Sequence, residues 1–421
     1  MEEILNRLGI PERVQALKDR GLYWAMNWPY IALYDTCGQD TDRYGRYEWL
    51  LGVAGWNAPV VRTFAGLPDA GQDWLMGLIS YDAKQELEPG LRTSGEPLVA
   101  FDPVMCFVPE IVLAIPRGGS QIEVLKGPPA LRSLPMPPKQ KLLRLPPPVF
   151  RPLVSQAEYE EMIRQIQRHI VDGDCYELNL SQAFVANFRL DQPERIFWRL
   201  TRVSPAPFAA LLRLGPRYLL SASPERLLQL QDGRLLSQPM KGTAPRGETA
   251  QQDQEVRERL RHSEKEQAEN VMIVDLTRND LNRSALPGSV SVSDLFEVQT
   301  FAHVHQMIST VTAQRDPQVP LREVIGHVFP PGSMTGAPKV RSMELIDRYE
   351  QVARGAYAGS IGYIDPQGNF DWNVVIRTLV YDDELRRLCY HVGGAITYDS
   401  VPSQEYEETL IKARALRKLF E

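Results

Sequence analysis

Apolar positions along the chain follow two rhythms. Met162, Ile163, Ile166 and Ile170 fall three or four apart, the spacing of one helical face, and Ser155 with Glu158 forms an S-x-x-E capping box ahead of them. Asp172-Gly173 ends that helix. Short apolar runs without helical spacing read as strands: YIALYDTC, LMGLISYD and EIVLAIP early in the chain, then residues 177–184 and 218–222. Asp232-Gly233 between alternating residues predicts a two-residue hairpin. Further helices are expected over about 250–282, 336–350 and 403–419, with strands near 357–363, 372–380 and 387–397. The elements mix without a regular βαβ alternation or an internal repeat. An α+β fold with largely antiparallel sheets follows.

One compositional break interrupts this pattern. Residues 127–152, GPPALRSLPMPPKQKLLRLPPPVFRP, are too rich in proline for a helix interior or a central strand, so they read as a linker or extended strap. On sequence the chain divides into an N-terminal region, 1–126, this proline-rich segment, 127–152, and a larger region, 153–421.

Composition then narrows the class. Hydrophobic residues make up 43% and charged residues 24% of the 421, the balance of a globular protein. The 47 basic and 53 acidic residues leave a net charge of −6, so no basic field exists to hold nucleic acid or an anionic membrane. The opening MEEILNRLGIPERVQALKDRG places acidic residues first with no apolar run behind them, unlike a secretory signal. No stretch of about 18 apolar residues offers a membrane span. A cytoplasmic protein is expected. Cys37, Cys106, Cys175 and Cys389 are widely scattered, which fits reduced thiols. None stands in a Gly-x-Cys-x-Gly turn, so the chain shows no thiol-dependent glutaminase of its own.

Candidate chemistry gathers around SQPMKGTAPRG, residues 237–247. A phosphate-binding loop would need glycine five residues before Lys241, where Leu236 stands. A turn at 232–233 sets Glu225 opposite Met240, so Lys241 is expected one step from Glu225 across the ladder. That pair is either a structural ion pair or a nucleophile with its general acid/base. Glu266 with Glu269, and Glu405 with Glu408, each put two carboxylates on one helix face, and Lys412 lies one turn beyond Glu408. Such pairs are either solvated surface or ligands for a divalent cation. PPGSMTGAPK, residues 330–339, reads as a turn opening a helix, with Thr335 as its cap and backbone N–H groups available to a carboxylate. Gly393-Gly394 lets a backbone approach a ligand closely. Arg377 in the apolar run WNVVIRTL calls for a carboxylate from the protein or from a ligand. His303 and His305 alternate along one expected strand without the spacing of a zinc site.

The motifs SPER, PMKGTAPRG, AENVMIVDLTRNDL, PPGSMTGAPK, GSIGY, IRT, GGAI and EYEE occur in an order that resembles the chorismate-utilising enzymes. That family includes anthranilate synthase, aminodeoxychorismate synthase, isochorismate synthase and salicylate synthase. The resemblance runs from about residue 155 to 414 and extends more weakly into residues 1–126. It implies two facing antiparallel sheets with the active site in the cleft between lobes. In the branch that aminates C4, the lysine matching Lys241 attacks C2 of chorismate while the C4 hydroxyl leaves, and ammonia then adds at C4. Anthranilate synthases carry alanine at that position. The resemblance implies Glu225 as acid/base and His305 as an active-site residue. It implies Mg²⁺ held by Glu269 and Glu408, with Glu266 and Glu405 acting through water. It places the ring carboxylate near Gly242, Thr243 and Lys412, and the enolpyruvyl carboxylate near Arg377, Tyr363 and the amides of Gly394 and Ala395. Ammonia is expected from a separate glutaminase subunit, with the product serving 4-aminobenzoate and folate formation. Anthranilate formation and a non-catalytic chorismate-binding role stand as alternatives. Two positions depart from the family: Glu177 stands where glutamine is usual, and Ala395 where glycine is usual.

Overall fold

The computed structural model describes residues 9–39, 41–93, 95–132, 134–135, 146–301 and 304–420. His303 and much of the proline-rich segment, residues 133 and 136–145, lie outside them.

Two large sheets, every pairing antiparallel, face each other. The first runs in spatial order through Gly336–Ala337, Glu177–Asn187, Arg387–Ile396, Thr378–Asp382, Arg217–Ser223, Phe208–Leu214, Tyr30–Asp35, Tyr47–Ala54, Ile111–Pro116 and Glu123–Lys126. The second runs through Met240–Pro245, Val304–Gln314, Arg234–Ser237, Arg226–Gln231, Phe370–Asn373, Ser360–Ile364, Leu75–Ile79, Val104–Phe107 and Val60–Val61. Strands from before and after the proline-rich segment share both sheets. Of that segment, Arg151–Pro152 pairs with the Glu177–Asn187 strand, and Leu134 is buried in the core.

Central strands are buried on both faces, which is why their sequences read as continuous apolar runs. In Tyr30–Asp35, Tyr30 and Ala32 face the core between the sheets, alongside Met76, Leu78 and Phe107 of the second sheet. Ile31 and Leu33 face outward onto helices Ile10–Ala25 and Pro193–Val203. Helices Glu264–Asn282 and Leu321–Val328 cover the outer face of the second sheet through Val274, Leu281, Val324 and Val328. The order of layers is helix, sheet, sheet, helix.

Most expected elements are present, and four differences matter. The helix expected over 250–282 is two helices, Ala250–Arg261 and Glu264–Asn282, because Ser263 caps a new start by accepting from the Glu266 amide. The helix expected from 336 begins at Lys339 after Pro338, and Gly336–Ala337 is instead an edge strand, so Thr335 does not cap it. The strand expected over 372–380 is two strands in different sheets, Phe370–Asn373 and Thr378–Asp382. The Asp232-Gly233 hairpin keeps the expected register through Gln229↔Leu236. Beyond Ser237 the chain leaves it: Met240–Pro245 pairs with Val304–Gln314 rather than with the Glu225 side.

A buried ion network locks the two lobes beside the site. Arg226, 1% exposed, donates to both oxygens of Asp42 at 2.9 and 2.8 Å. It also donates to both oxygens of Asp371 at 2.8 and 2.9 Å. Arg226→Met would leave two facing carboxylates without their counter-charge, and a loss of about 3–5 kcal/mol is expected. Urea unfolding followed by circular dichroism checks it.

Candidate active site

The site forms where the chain passes between the sheets. Ser223-Pro224-Glu225 carries the chain from Arg217–Ser223 in the first sheet to Arg226–Gln231 in the second. Residues 374–377 make the reverse passage beside it. The two passages are bonded to each other: the Val374 amide donates to the Glu225 carbonyl at 3.0 Å and the Ala222 amide to the Arg377 carbonyl at 3.2 Å. Ser223 Oγ donates to the Val374 carbonyl at 2.6 Å. Arg377 thus lies in a bend with φ +51° rather than within a strand.

Lys241 reaches the same place from the Met240–Pro245 strand. The pairing register shifts between Met240 and Thr243, a bulge in which Gly242 adopts φ +86°. Bulges turn a side chain out of its alternation. An added Cβ at Gly242 would lie 2.9 Å from Glu266 Oε2, so a side chain there would push the Glu266 carboxylate aside. The Lys241 side chain is 11% exposed, and its Nζ lies 3.4 Å from Glu177 Oε2. The Lys241 charge is felt at Glu177, Glu225 and Glu266. The pair read from hairpin arithmetic therefore exists as proximity, although the ladder does not supply it.

Glu225 is buried, and its Oε1 accepts from Ser333 Oγ at 2.6 Å. Burial pushes its carboxyl up to about 7, against the Ser333 hydrogen bond and the charges of Lys241 and Arg377. Such a group can give and take a proton near neutrality. Burial pulls the Arg377 guanidinium down, opposed by Glu225. Among the described residues no carboxylate pairs with that guanidinium, which favours a ligand as its partner. Ser333→Ala removes a bond that stabilises the Glu225 anion. Any activity limb set by Glu225 is expected to move to higher pH, as a pH–rate profile would show.

Two helices bring four carboxylates to the other wall. Glu266 and Glu269 come from Glu264–Asn282, Glu405 and Glu408 from Pro402–Arg417. Burial, followed by the neighbouring Glu269 charge, raises the Glu266 carboxyl. Burial raises Glu405 too, against the hydrogen bond from Ser400 Oγ at 2.7 Å. Glu408 pairs with Lys412 at 2.7 Å, and Lys412 Nζ donates to the Gly393 carbonyl at 2.8 Å. An added Cβ at Gly394 would lie 3.4 to 3.7 Å from Glu408, Glu405 and Lys412, so this backbone abuts the carboxylates. Gly393 and Ala395 hold the strand in register with Ser181 and Asn179. Among the described residues, no three ligating groups already lie at metal-binding separations. The donor chemistry nevertheless suits a hard divalent cation: several carboxylates converge, and two of them are raised.

Three expected residues lie elsewhere. His305 is 1% exposed, with Nδ1 bonded to Thr300 Oγ1 and Nε2 to Asp253, each at 2.9 Å. Its neighbour Gln306 takes the site face, donating to the Gly242 carbonyl and accepting from Thr243 Oγ1, each at 2.9 Å. One residue along a strand reverses the face. Tyr363 packs among Tyr34, Tyr47 and Trp74 and lines a separate cavity of about 60 Å³. Tyr357 is the tyrosine beside the site: its phenol feels the Glu225 charge, and its ring stacks on His391 at 5.2 Å. Thr335 is fully buried, its hydroxyl donating to the Pro331 carbonyl at 3.0 Å, so it shapes the Ser333 turn. Ser333, Gln306 and Tyr357 were not singled out from sequence. Strand alternation next to Lys241–Thr243 was the one available signal, for Gln306.

Residues 51–418 match the family described as chorismate binding enzyme, and the chain belongs to that family. It is 45% identical over 267 residues to aminodeoxychorismate synthase component 1 of Klebsiella aerogenes, a stretch covering 63% of this chain and 58% of that one. It is 38% identical over 272 residues to anthranilate synthase component 1 of Aquifex aeolicus strain VF5, covering 65% and 54%. The matched stretch spans little more than half of either relative. In three dimensions the chain is similar to anthranilate synthase component I from Streptococcus pneumoniae TIGR4. The TM-score is 0.74 at 28% identity, over 83% of this chain and 81% of that one. Among the described residues no helix is long and apolar enough to cross a membrane.

Proposed function

We propose that this protein converts chorismate and ammonia to 4-amino-4-deoxychorismate, the activity of an aminodeoxychorismate synthase component 1. The observation that carries the reading is Lys241, an amine directed by a glycine bulge into a pocket shared with Glu225 and Glu177. The Lys241 amine attacks C2 of the ring. The C4–O bond breaks as the double bonds shift, and the Glu225 carboxyl gives its proton to the departing hydroxide, which leaves as water. Ammonia then attacks C4 and expels the Lys241 amine from C2. Nitrogen arrives at C4 because C2 is covalently occupied.

Arg377 supports this reading as a partner for a substrate carboxylate, as do the Gly242-Thr243 and Gly393–Ala395 backbones and Lys412. Glu269 and Glu408 would hold Mg²⁺, with Glu266 and Glu405 behind them, and the ion would neutralise a carboxylate of the substrate. Chelation by EDTA is expected to stop turnover, and Mg²⁺ to restore it. Ammonia would come from a glutaminase subunit, in a cytoplasmic route to 4-aminobenzoate and folate.

Incubating the protein with chorismate, Mg²⁺ and an ammonium salt, then identifying the product by mass spectrometry, tests the reading. The expected product is the 4-amino compound. Anthranilate with release of pyruvate would overturn it in favour of the C2-aminating branch.

A further inference from the structure

Glu177 has no part in the chemistry so far, yet it is 2% exposed and faces directly into the site. Its strand, Glu177–Asn187, is clamped between Gly336–Ala337 and Arg387–Ile396, so the backbone cannot carry the side chain elsewhere. Among the described residues the Lys241 ammonium is the only group bonded to its carboxylate, through Oε2, and nothing donates to Oε1. The other ionisable groups that reach it are Glu269, a like charge, and Cys175 two residues back along the chain. A buried carboxylate is tolerated when a cation stands beside it and is costly when alone. Covalent attachment of Lys241 to the substrate ring draws that nitrogen off the Glu177 carboxylate and onto C2.

We infer that Glu177 forms the ammonium-binding subsite: when the Lys241 amine joins the ring, an ammonium ion takes its place against the Glu177 carboxylate. The inference rests on the C4-amination reading. A free ammonium ion carries the same charge and the same N–H donors as the lysine head group, so the pocket that accepts one accepts the other. Position also fits, because C2 and C4 are 1,3-related on one ring and an ion beside the Lys241 nitrogen is close to C4.

The steps balance. In the first, Lys241 gives one proton to solvent and bonds to C2 as a secondary ammonium, while Glu225 loses its proton to the departing hydroxide. Glu225 then takes up one proton from solvent and is neutral again, while Glu177 stays ionised throughout this stage. Ammonium then binds and gives a proton to Glu177. The ammonia so formed bonds to C4 as the C2–Nζ bond breaks, which gives the ring a C4 ammonium group and returns Lys241 as a neutral amine. Glu177 hands its proton back to Lys241, and the starting ion pair is restored.

The experiment uses the full chain, with ammonium chloride as the nitrogen source. Glu177→Gln is expected to raise the KM for ammonium about tenfold or more, since a charge-assisted contact is lost. The KM for chorismate and the intact-mass adduct formed without ammonium should persist. Glu177→Asp, which keeps the charge, should recover most of the ammonium affinity. An unchanged ammonium KM in Glu177→Gln overturns the subsite. So does loss of the adduct together with ammonium use, because Glu177 would then serve Lys241 alone. If the unaltered protein forms neither adduct nor 4-amino product, the functional reading has failed, and the subsite with it.

Discussion

Lys241→Ala is expected to reduce C4 amination about a thousandfold or more, the scale seen when a covalent nucleophile is removed. The chorismate-derived mass adduct should vanish with it. The fold should survive. The side chain is short of full burial, and the one carboxylate it leaves behind, Glu177, is already held above its ordinary pKa mainly by burial. Losing the amine raises that carboxyl further, which lowers the cost of keeping it buried. Thermal unfolding close to that of the unaltered protein, with turnover lost, is therefore the expected pairing. Turnover within tenfold of the unaltered protein would exclude a covalent role for this lysine.

Glu225→Gln should cost about 10² to 10⁴ in rate, the usual contribution of a positioned proton donor. Its pH signature is more specific than its size. The group acts in its protonated form, and burial has brought its pKa to about 7. The rate should therefore fall as pH rises through about 7, and that descending limb should be missing from the glutamine variant. A limb that persisted in Glu225→Gln would assign the proton to another group. Ser333→Ala, which removes the bond holding the anion, should displace the same limb upward without abolishing it.

The parts of the fold legible in sequence were those with their own local signal. The Ser155–Glu158 capping box forms as expected, with Glu158 also accepting from the Ser155 amide at 2.8 Å. The start at Ser263 had the same kind of signal, Ser263 followed by Glu266, hidden inside a continuous charged stretch. The split of 372–380 had none. An apolar run reads identically whether it stays in one sheet or crosses to another, and the crossing is what turns Arg377 toward the site. Hairpin register failed at Gln238-Pro239, where proline cannot extend a ladder. The lysine, the glutamates and the arginine that the family motifs point to lie around one cleft. His305 and Tyr363 turn elsewhere, because a motif assigns a neighbourhood and only the pleat decides which of two adjacent residues looks into the cleft. Ser333 and Tyr357 act through contacts between segments far apart in sequence, which no window along the chain contains.

The interleaving of early and late strands bears on how this catalyst can be cut down. Tyr30–Asp35 lies against Phe208–Leu214, and Leu75–Ile79 against Ser360–Ile364. A fragment lacking the first 126 residues would keep all the reactive side chains yet bare two long apolar strand edges, each a template for aggregation. Miniaturised versions should therefore precipitate, and directed evolution of the chemistry has to carry the whole sandwich along.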